Sequence, residues 1–198
     1  SAFYIGEIAG KLVRDMAKHG GLITRDDLAS YQPVIREPVR GNYRGYEIVS
    51  MPPPSSGGVH LIQMLNVMEG FDIAGMGHNS AASVHVMTEA MKFAYADRSW
   101  HLGDPEFWRV PVTKLTSKAY AMKIGQLIDV NKARTASQIG PGDLKRHEGR
   151  NTTHFSVMDS KGNVVSNTYT INLAYGSGIV AEGTGILMNN EMDDFSAK

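Results

Sequence analysis

At 198 residues and 42% hydrophobic, the chain is long enough for one globular domain with a buried core. Lys plus Arg and Asp plus Glu are equal at 20 each, so charge gives no case for nucleic acid or an anionic membrane as a partner. The absence of cysteine excludes disulfides and thiolate metal sites, and no apolar run reaches the roughly 18 residues that a membrane span needs.

Phe3 to His19 has Ile5, Ile8, Leu12, Val13 and Met16 at helical spacing, and Gly20-Gly21 offers a left-handed stop. Thr24 followed by Asp27 resembles a capping box, so a short helix is expected from Asp26 to Tyr31, ended by Pro33. Val39 to Tyr43 and Tyr46 to Ser50 are candidate strands around Arg44-Gly45. Pro52-Pro53-Pro54 takes the chain out of that sheet, and Ser55-Ser56-Gly57-Gly58 leads into a helix. Such an entry can bind an anion through free backbone N–H groups, or it can be a cap with a tight turn. Without a phosphate-loop lysine, the cap is the favoured reading.

Helices follow over Val59 to Glu69, with Leu61, Ile62, Leu65 and Met68 apolar, and over Ala81 to His101, with Val84, Met87, Met91, Ala94 and Tyr95 near helical spacing. A further amphipathic helix covers Ser117 to Ile128. These stripes read as core. From Asp129 to Arg150 apolar content collapses to Val130, Ala133, Ala136, Ile139 and Leu144, which predicts an exposed, mobile connection over about 129–151. None of the seven histidines sits in a short-spaced, carboxylate-flanked pattern; no metal and no cofactor are expected, and His154 reads as a structural strand histidine.

After that connection, hydroxyl and apolar residues alternate from Thr152 to Met158, Asp159-Ser160-Lys161-Gly162-Asn163 supplies turn chemistry, and Val164 to Asn172 is a second β-rich run. If Asp159 and Asn163 close a three-residue loop with Gly162 left-handed, Thr152 faces Thr170. A two- or four-residue loop brings Ile171 opposite instead. From pattern alone the plain reading is ordinary strand threonines. Asn151-Thr152-Thr153 is also a formal N-glycosylation sequon.

The run Thr152-Thr153-His154-Phe155-Ser156-Val157, then Thr168-Tyr169-Thr170-Ile171-Asn172, then Gly185 to Ser196 with Asn189-Asn190-Glu191-Met192-Asp193-Asp194, resembles the start of the small subunit of the γ-glutamyltranspeptidase family. Upstream, Gly20-Gly21-Leu22-Ile23-Thr24, Tyr43-Arg44-Gly45-Tyr46, Met51 to Gly58 and Tyr95-Ala96-Asp97-Arg98 resemble the end of the large subunit. The resemblance is collinear over almost the whole chain.

It implies a piece of a longer precursor, with 1–151 the end of the large-subunit region and 152–198 the start of the small one. The implied fold class is α+β, the four-layer αββα sandwich of N-terminal nucleophile hydrolases, incomplete here. The implied chemistry is autocatalytic cleavage at Asn151-Thr152, pairing of the two subunits, then γ-glutamyl transfer or hydrolysis on glutathione and related donors, with amino acids or dipeptides as acceptors. Thr152 matches the nucleophile and Thr170 the residue orienting it, while Asn172, Glu191 and Asp194 match the residues that hold the substrate α-ammonium. Many bacterial members have glutamine where this chain has Glu191. The family's carboxylate-binding arginine would lie before Ser1 and its oxyanion glycines beyond Lys198, so the piece alone is expected to be nearly inactive. A periplasmic or extracellular location is implied, with any export signal upstream. A β-lactam-precursor acylase of the same fold and a non-catalytic scaffold relative are the alternatives.

Overall fold

The computed structural model describes residues 1–139 and 152–194; Asn151, the upstream half of the expected cleavage site, lies outside the described residues. The chain divides into two compact units, one of Ser1–Val34 with Arg146–Lys198 and one of Ile35–Lys145.

In the second unit, β1 (Val39–Tyr43) and β2 (Tyr46–Ser50) form a hairpin with Tyr43 opposite Tyr46. Its two-residue turn puts Arg44 and Gly45 at φ 50° and 87°, the left-handed pair that matches strand twist. Arg44 is unusual there, and Glu69 holds it by accepting from its backbone N–H at 2.7 Å. Helix α3 (Gly57–Met68) packs on β1 and runs against two other helices of this unit, the long α5 (Ala81–His101) and α7 (Lys118–Leu127). Short helices α4 (Ile73–Met76) and α6 (Val112–Leu115) precede each of these. Gly58 allows the close approach at the start of α3, since a Cβ there would lie 2.1 Å from the Met51 carbonyl oxygen. The N-cap residue of α3, Ser56, makes no side-chain cap bond; Ser55 Oγ accepts from Gly57 N instead.

Val39, Val59, Ile62 and Leu115 form one apolar cluster, and Val67, Ala90, Ala121, Ile124 and Ile128 another, with Tyr120 packed against both. Burial of each large aliphatic side chain contributes on the order of 1.5–3 kcal/mol. The core faces differ from those read off the sequence. On α5, Val84, Met87 and Met91 are about half exposed, while Val86 and Ala90 go inside together with the expected Ala94, because small side chains let α3 and α7 approach closely. On α3, Leu61 is exposed and the buried face carries polar His60, Gln63 and Asn66 beside Val59, Ile62 and Val67.

Those polar groups are held inside by hydrogen bonds to one another and to distant residues, with Asn66 Nδ2 donating to Thr116 O at 2.8 Å. Gln63 Nε2 donates to Asp97 Oδ2 at 2.5 Å, so Gln63 Oε1 is an acceptor and the ring of His60 must carry its proton on Nδ1, 2.8 Å away. Tyr120 donates its hydroxyl to the same Asp97 carboxylate at 3.0 Å. Burial, then the Asp97 charge and hydrogen bond, push the Tyr120 hydroxyl up to about 12. Burial also holds His60 below its ordinary value, against the opposing pull of Gln63 and Asp97.

The described part of the expected connection, up to residue 139, is fastened to α5. Buried Glu89 accepts from Lys92 Nζ at 2.6 Å and from Arg134 N at 3.2 Å, and Lys92 also donates to Arg134 O at 2.7 Å. His85 Nε2 lies 2.8 Å from Asp129 O. The low apolar content is thus compensated by main-chain bonds.

In the first unit, α1 (Glu7–His19) starts later than the apolar pattern suggested and ends with Gly20 at φ 74°, as expected. Helix α2 (Arg25–Ser30) opens with the predicted capping box, Thr24 and Asp27 bonding reciprocally. The described remainder of this unit holds two hairpins, β3 (Thr152–Met158) with β4 (Val164–Thr170), and the short β5 (Val180–Ala181) with β6 (Ile186–Leu187), and a 3₁₀ turn over Glu191–Asp194. Helix α1 runs beside β5, and Lys18 pairs with Glu182 at 2.8 Å. Among the described residues, every sheet is two-stranded. No described helix is long and apolar enough to cross a membrane.

Candidate active site

The β3–β4 hairpin owes its register to its turn. Gly162 N donates to Asp159 O at 3.1 Å, Asp159 N donates to Asn163 O at 3.0 Å, and Gly162 sits at φ 83°. The Asp159 side chain accepts from Lys161 N, Asn163 N and Asn163 Nδ2, and these bonds, Asn163 foremost, hold its carboxyl below the usual range. This is the three-residue loop anticipated from the sequence, and it makes Thr152 the partner of Thr170. Hydrogen-bonded and non-hydrogen-bonded pairs alternate along an antiparallel ladder. Asp159 with Asn163 is bonded, so the pairs of Met158, Ser156, His154 and Thr152 are the non-bonded ones, where side chains approach most closely.

Residues two apart share a face. One face of the hairpin carries Thr152, His154 and Ser156 with Thr170, Thr168 and Ser166; the other carries Phe155 and Val157 with Tyr169 and Val165. His154 joins the hydroxyls of the first face, its Nδ1 2.6 Å from Thr168 Oγ1 and its Nε2 3.1 Å from Ser166 Oγ. The ring is thereby a cross-strand tie, two residues from Thr152 and directed toward the turn. The second face is apolar and exposed, with Phe155 and Tyr169 meeting edge to face.

β4 ends at Thr170, two residues short of the predicted Asn172, because Asn172 turns left-handed at φ 71°. Thr170 Oγ1 accepts from Asn172 N at 2.9 Å. Asn172 Nδ2 donates to Asn190 O at 3.0 Å, which fixes the flip of its amide and makes Oδ1 the end left to accept. Asn190 lies just before a short 3₁₀ turn, Glu191–Asp194, that brings the two predicted carboxylates together. Burial and, next, the Asp194 charge raise the Glu191 carboxyl above its ordinary value.

Thr152 and Thr170 are thus brought face to face. Asn172 is tied to Thr170 at one end and, through Asn190, to the Glu191–Asp194 turn at the other. An amide oxygen and two carboxylates form a set of acceptors suited to an ammonium group. Among the described residues, no three His, Cys, Asp or Glu side chains gather as a metal would need. Asn190 received no role from sequence reasoning; its position inside the Asn-Asn-Glu-Met-Asp-Asp run was the available signal.

The family model for gamma-glutamyltranspeptidase matches residues 1–198. The chain belongs to the γ-glutamyltranspeptidase family. It is 55% identical over 196 residues to the glutathione hydrolase proenzyme of Escherichia coli K12, covering 99% of this chain and 34% of that protein. The crystal structure of Helicobacter pylori gamma-glutamyltranspeptidase matches with a TM-score of 0.67 at 52% identity, over 75% of this chain and 43% of that one. Cephalosporin acylase from Bacillus halodurans matches with a TM-score of 0.77 at 31% identity, over 98% of this chain and 34% of that one. The fold class is therefore the N-terminal nucleophile hydrolase class shared by γ-glutamyltranspeptidases and acylases, mixed α and β. The chain spans about a third of the length of the curated relatives it matches.

Proposed function

We propose that the protein carrying this chain cuts its own Asn151–Thr152 bond and then transfers γ-glutamyl groups from glutathione or similar donors to water, an amino acid or a dipeptide. The observation that carries this reading is the facing pair of Thr152 and Thr170, with Asn172 bonded to the second of them and, through Asn190, to the Glu191–Asp194 turn.

In maturation, Thr152 Oγ attacks the carbonyl carbon of Asn151; an ester forms as the peptide C–N bond breaks and the Thr152 nitrogen takes the proton. Water then hydrolyses the ester, leaving a carboxylate on Asn151 and a free amine on Thr152. That amine, with a reference pKa of about 7.7 to 8, is partly neutral near neutral pH and takes the hydroxyl proton for turnover. Thr152 Oγ attacks the donor γ-carbonyl, the amine product leaves with the proton, and water or an acceptor amine cleaves the γ-glutamyl ester. Thr170 orients the hydroxyl. Asn172, Glu191 and Asp194 accept from the donor α-ammonium. The two parts separated by the cut, ending at Asn151 and beginning at Thr152, stay paired as large and small subunits. Family membership supports a location outside the cytoplasm, which fractionation of the source cells checks.

Intact mass and N-terminal sequencing of the full-length protein test the reading. A terminus beginning Thr152-Thr153-His154-Phe155, absent in Thr152→Ala, and a γ-glutamyl adduct on Thr152 are expected. Activity on a γ-glutamyl anilide without the cut, or with no adduct on Thr152, would overturn it. The match to a cephalosporin acylase favours a second reading, a β-lactam-precursor acylase acting on a non-glutamyl acyl group such as glutaryl. Faster release from a glutaryl amide than from the γ-glutamyl anilide would select it.

A further inference from the structure

Asn190 joins two segments with both its backbone and its side chain. Its N–H donates to Ile171 O at 3.3 Å and its carbonyl accepts from Asn172 Nδ2 at 3.0 Å. Its side-chain Oδ1 accepts from Leu173 N at 3.2 Å, and its Nδ2 donates to Asp193 Oδ2 at 2.8 Å. The segment it holds contains a left-handed residue, Asn172 at φ 71°, a conformation that asparagine adopts more readily than other non-glycine residues and that these bonds hold in place.

We propose that Asn190 is a positioning residue for the ammonium pocket, setting where Asn172 Oδ1 stands relative to the Glu191 and Asp194 carboxylates. The inference rests on the γ-glutamyl reading above and adds to it a residue that touches no substrate. Two of the bonds depend on the side chain alone. The Leu173 bond fixes the backbone just after Asn172, and the Asp193 bond fixes the interior of the turn between Glu191 and Asp194. Removing the side chain loosens both partners of the pocket, which then keep only the main-chain bonds of Asn190 to Ile171 and Asn172, while the Thr152–Thr170 pair, held by its own turn and ladder, keeps its register.

The inference predicts selectivity. In Asn190→Ala of the full-length protein, KM for a γ-glutamyl anilide should rise about tenfold or more, the effect of losing two hydrogen bonds that order an ion-binding group, with kcat within about threefold. The glutaryl anilide, which lacks the ammonium, should show less than about a twofold change in KM, or in its inhibition constant where turnover is slow. Self-cleavage, followed by intact mass, should keep its wild-type rate. Asn190→Asp retains an acceptor for Leu173 N, loses the donor to Asp193, and should show the same selectivity. Equal losses on both substrates, or failure of both variants to mature, would overturn the inference and make Asn190 a support of the hairpin as a whole. Failure of the wild-type protein to cleave or to use the γ-glutamyl anilide would remove the underlying reading, and is seen without any Asn190 variant.

Discussion

Thr152 and Thr170 stand directly opposite each other at the open end of β3 and β4, at a position where the strands exchange no backbone hydrogen bonds. Thr170→Val keeps the shape and strand propensity but deletes the hydroxyl that Asn172 N uses. On the proposed reading that this hydroxyl orients Thr152, its loss should lower single-turnover acylation by about 100-fold and slow self-cleavage, whereas Thr170→Ser should stay within about tenfold. Rapid-quench measurement of the acyl adduct on Thr152 decides this. Equal rates for Val and Ser would mean that only the strand position matters.

Gly162 controls the register from the far end of the same hairpin. A Cβ there would meet no atom within 4 Å, so the cost of Gly162→Ala is conformational, from φ 83°. It should destabilise the hairpin by about 1 kcal/mol, with Gly162→Asn costing less because asparagine tolerates left-handed backbone. A slip of one residue would turn Thr152 to the apolar face. The expected outcome in the full-length protein is slower self-cleavage in the order Gly, Asn, Ala, read by intact mass.

Glu191 gives the site a pH dependence of definite sign. Its folded-state carboxyl is raised, so the folded protein binds this proton more tightly than the unfolded chain does. Its stabilising contribution is therefore present at low pH and lost as pH rises through the raised value. An ammonium ligand reverses the preference, because it favours the ionised carboxylate and relieves the repulsion from Asp194. Donor affinity should accordingly weaken as pH falls through the carboxylate range, and Glu191→Gln should flatten that dependence. KM for the γ-glutamyl anilide measured from about pH 7 down to about pH 4.5 checks it. An unchanged slope in the variant would remove Glu191 from the pocket.

His60 acts in the other unit, and with the opposite sign. Its imidazole is held below its ordinary value, so stability is present above the unfolded value of about 6.5 and is lost as pH falls through the lower folded one. Protonation would have to occur at the buried Nε2, which has no hydrogen-bond partner among the described residues. His60→Asn cannot take up that proton. Its urea midpoint should fall less than the wild type's between about pH 7.5 and about pH 5.5. Parallel falls would show that other groups govern acid unfolding.

The parts of this architecture that were readable beforehand are those decided by short-range chemistry. The Asp159, Gly162 and Asn163 side chains and backbone specify one turn, and the turn specifies which threonines meet. Thr24 with Asp27, and Gly20 after α1, are equally local. The buried face of α3 was hidden because His60, Gln63 and Asn66 count as outward-facing in any hydrophobic period, although Asp97 and Thr116, far along the chain, make them internal. The half-exposed methionines of α5 misled in the opposite direction. Roles for Thr152, Asn172, Glu191 and Asp194 came from family resemblance, since pattern alone left them ordinary strand and turn residues. Asn190 escaped both routes, because its bonds to Ile171, Asn172 and Leu173 cross the chain through backbone atoms that carry no sequence signature.

The apolar face of the β3–β4 hairpin also bears on handling. Phe155, Val157, Val165 and Tyr169 are all about half exposed on a ribbon that has two strands among the described residues. A lone hairpin of that kind is marginal in water and templates strand addition. These 198 residues prepared by themselves should therefore self-associate through that ribbon, and light scattering that falls on Val157→Lys would locate the sticky surface. The strands that present the proposed nucleophile are, outside their full-length setting, a segment prone to aggregate.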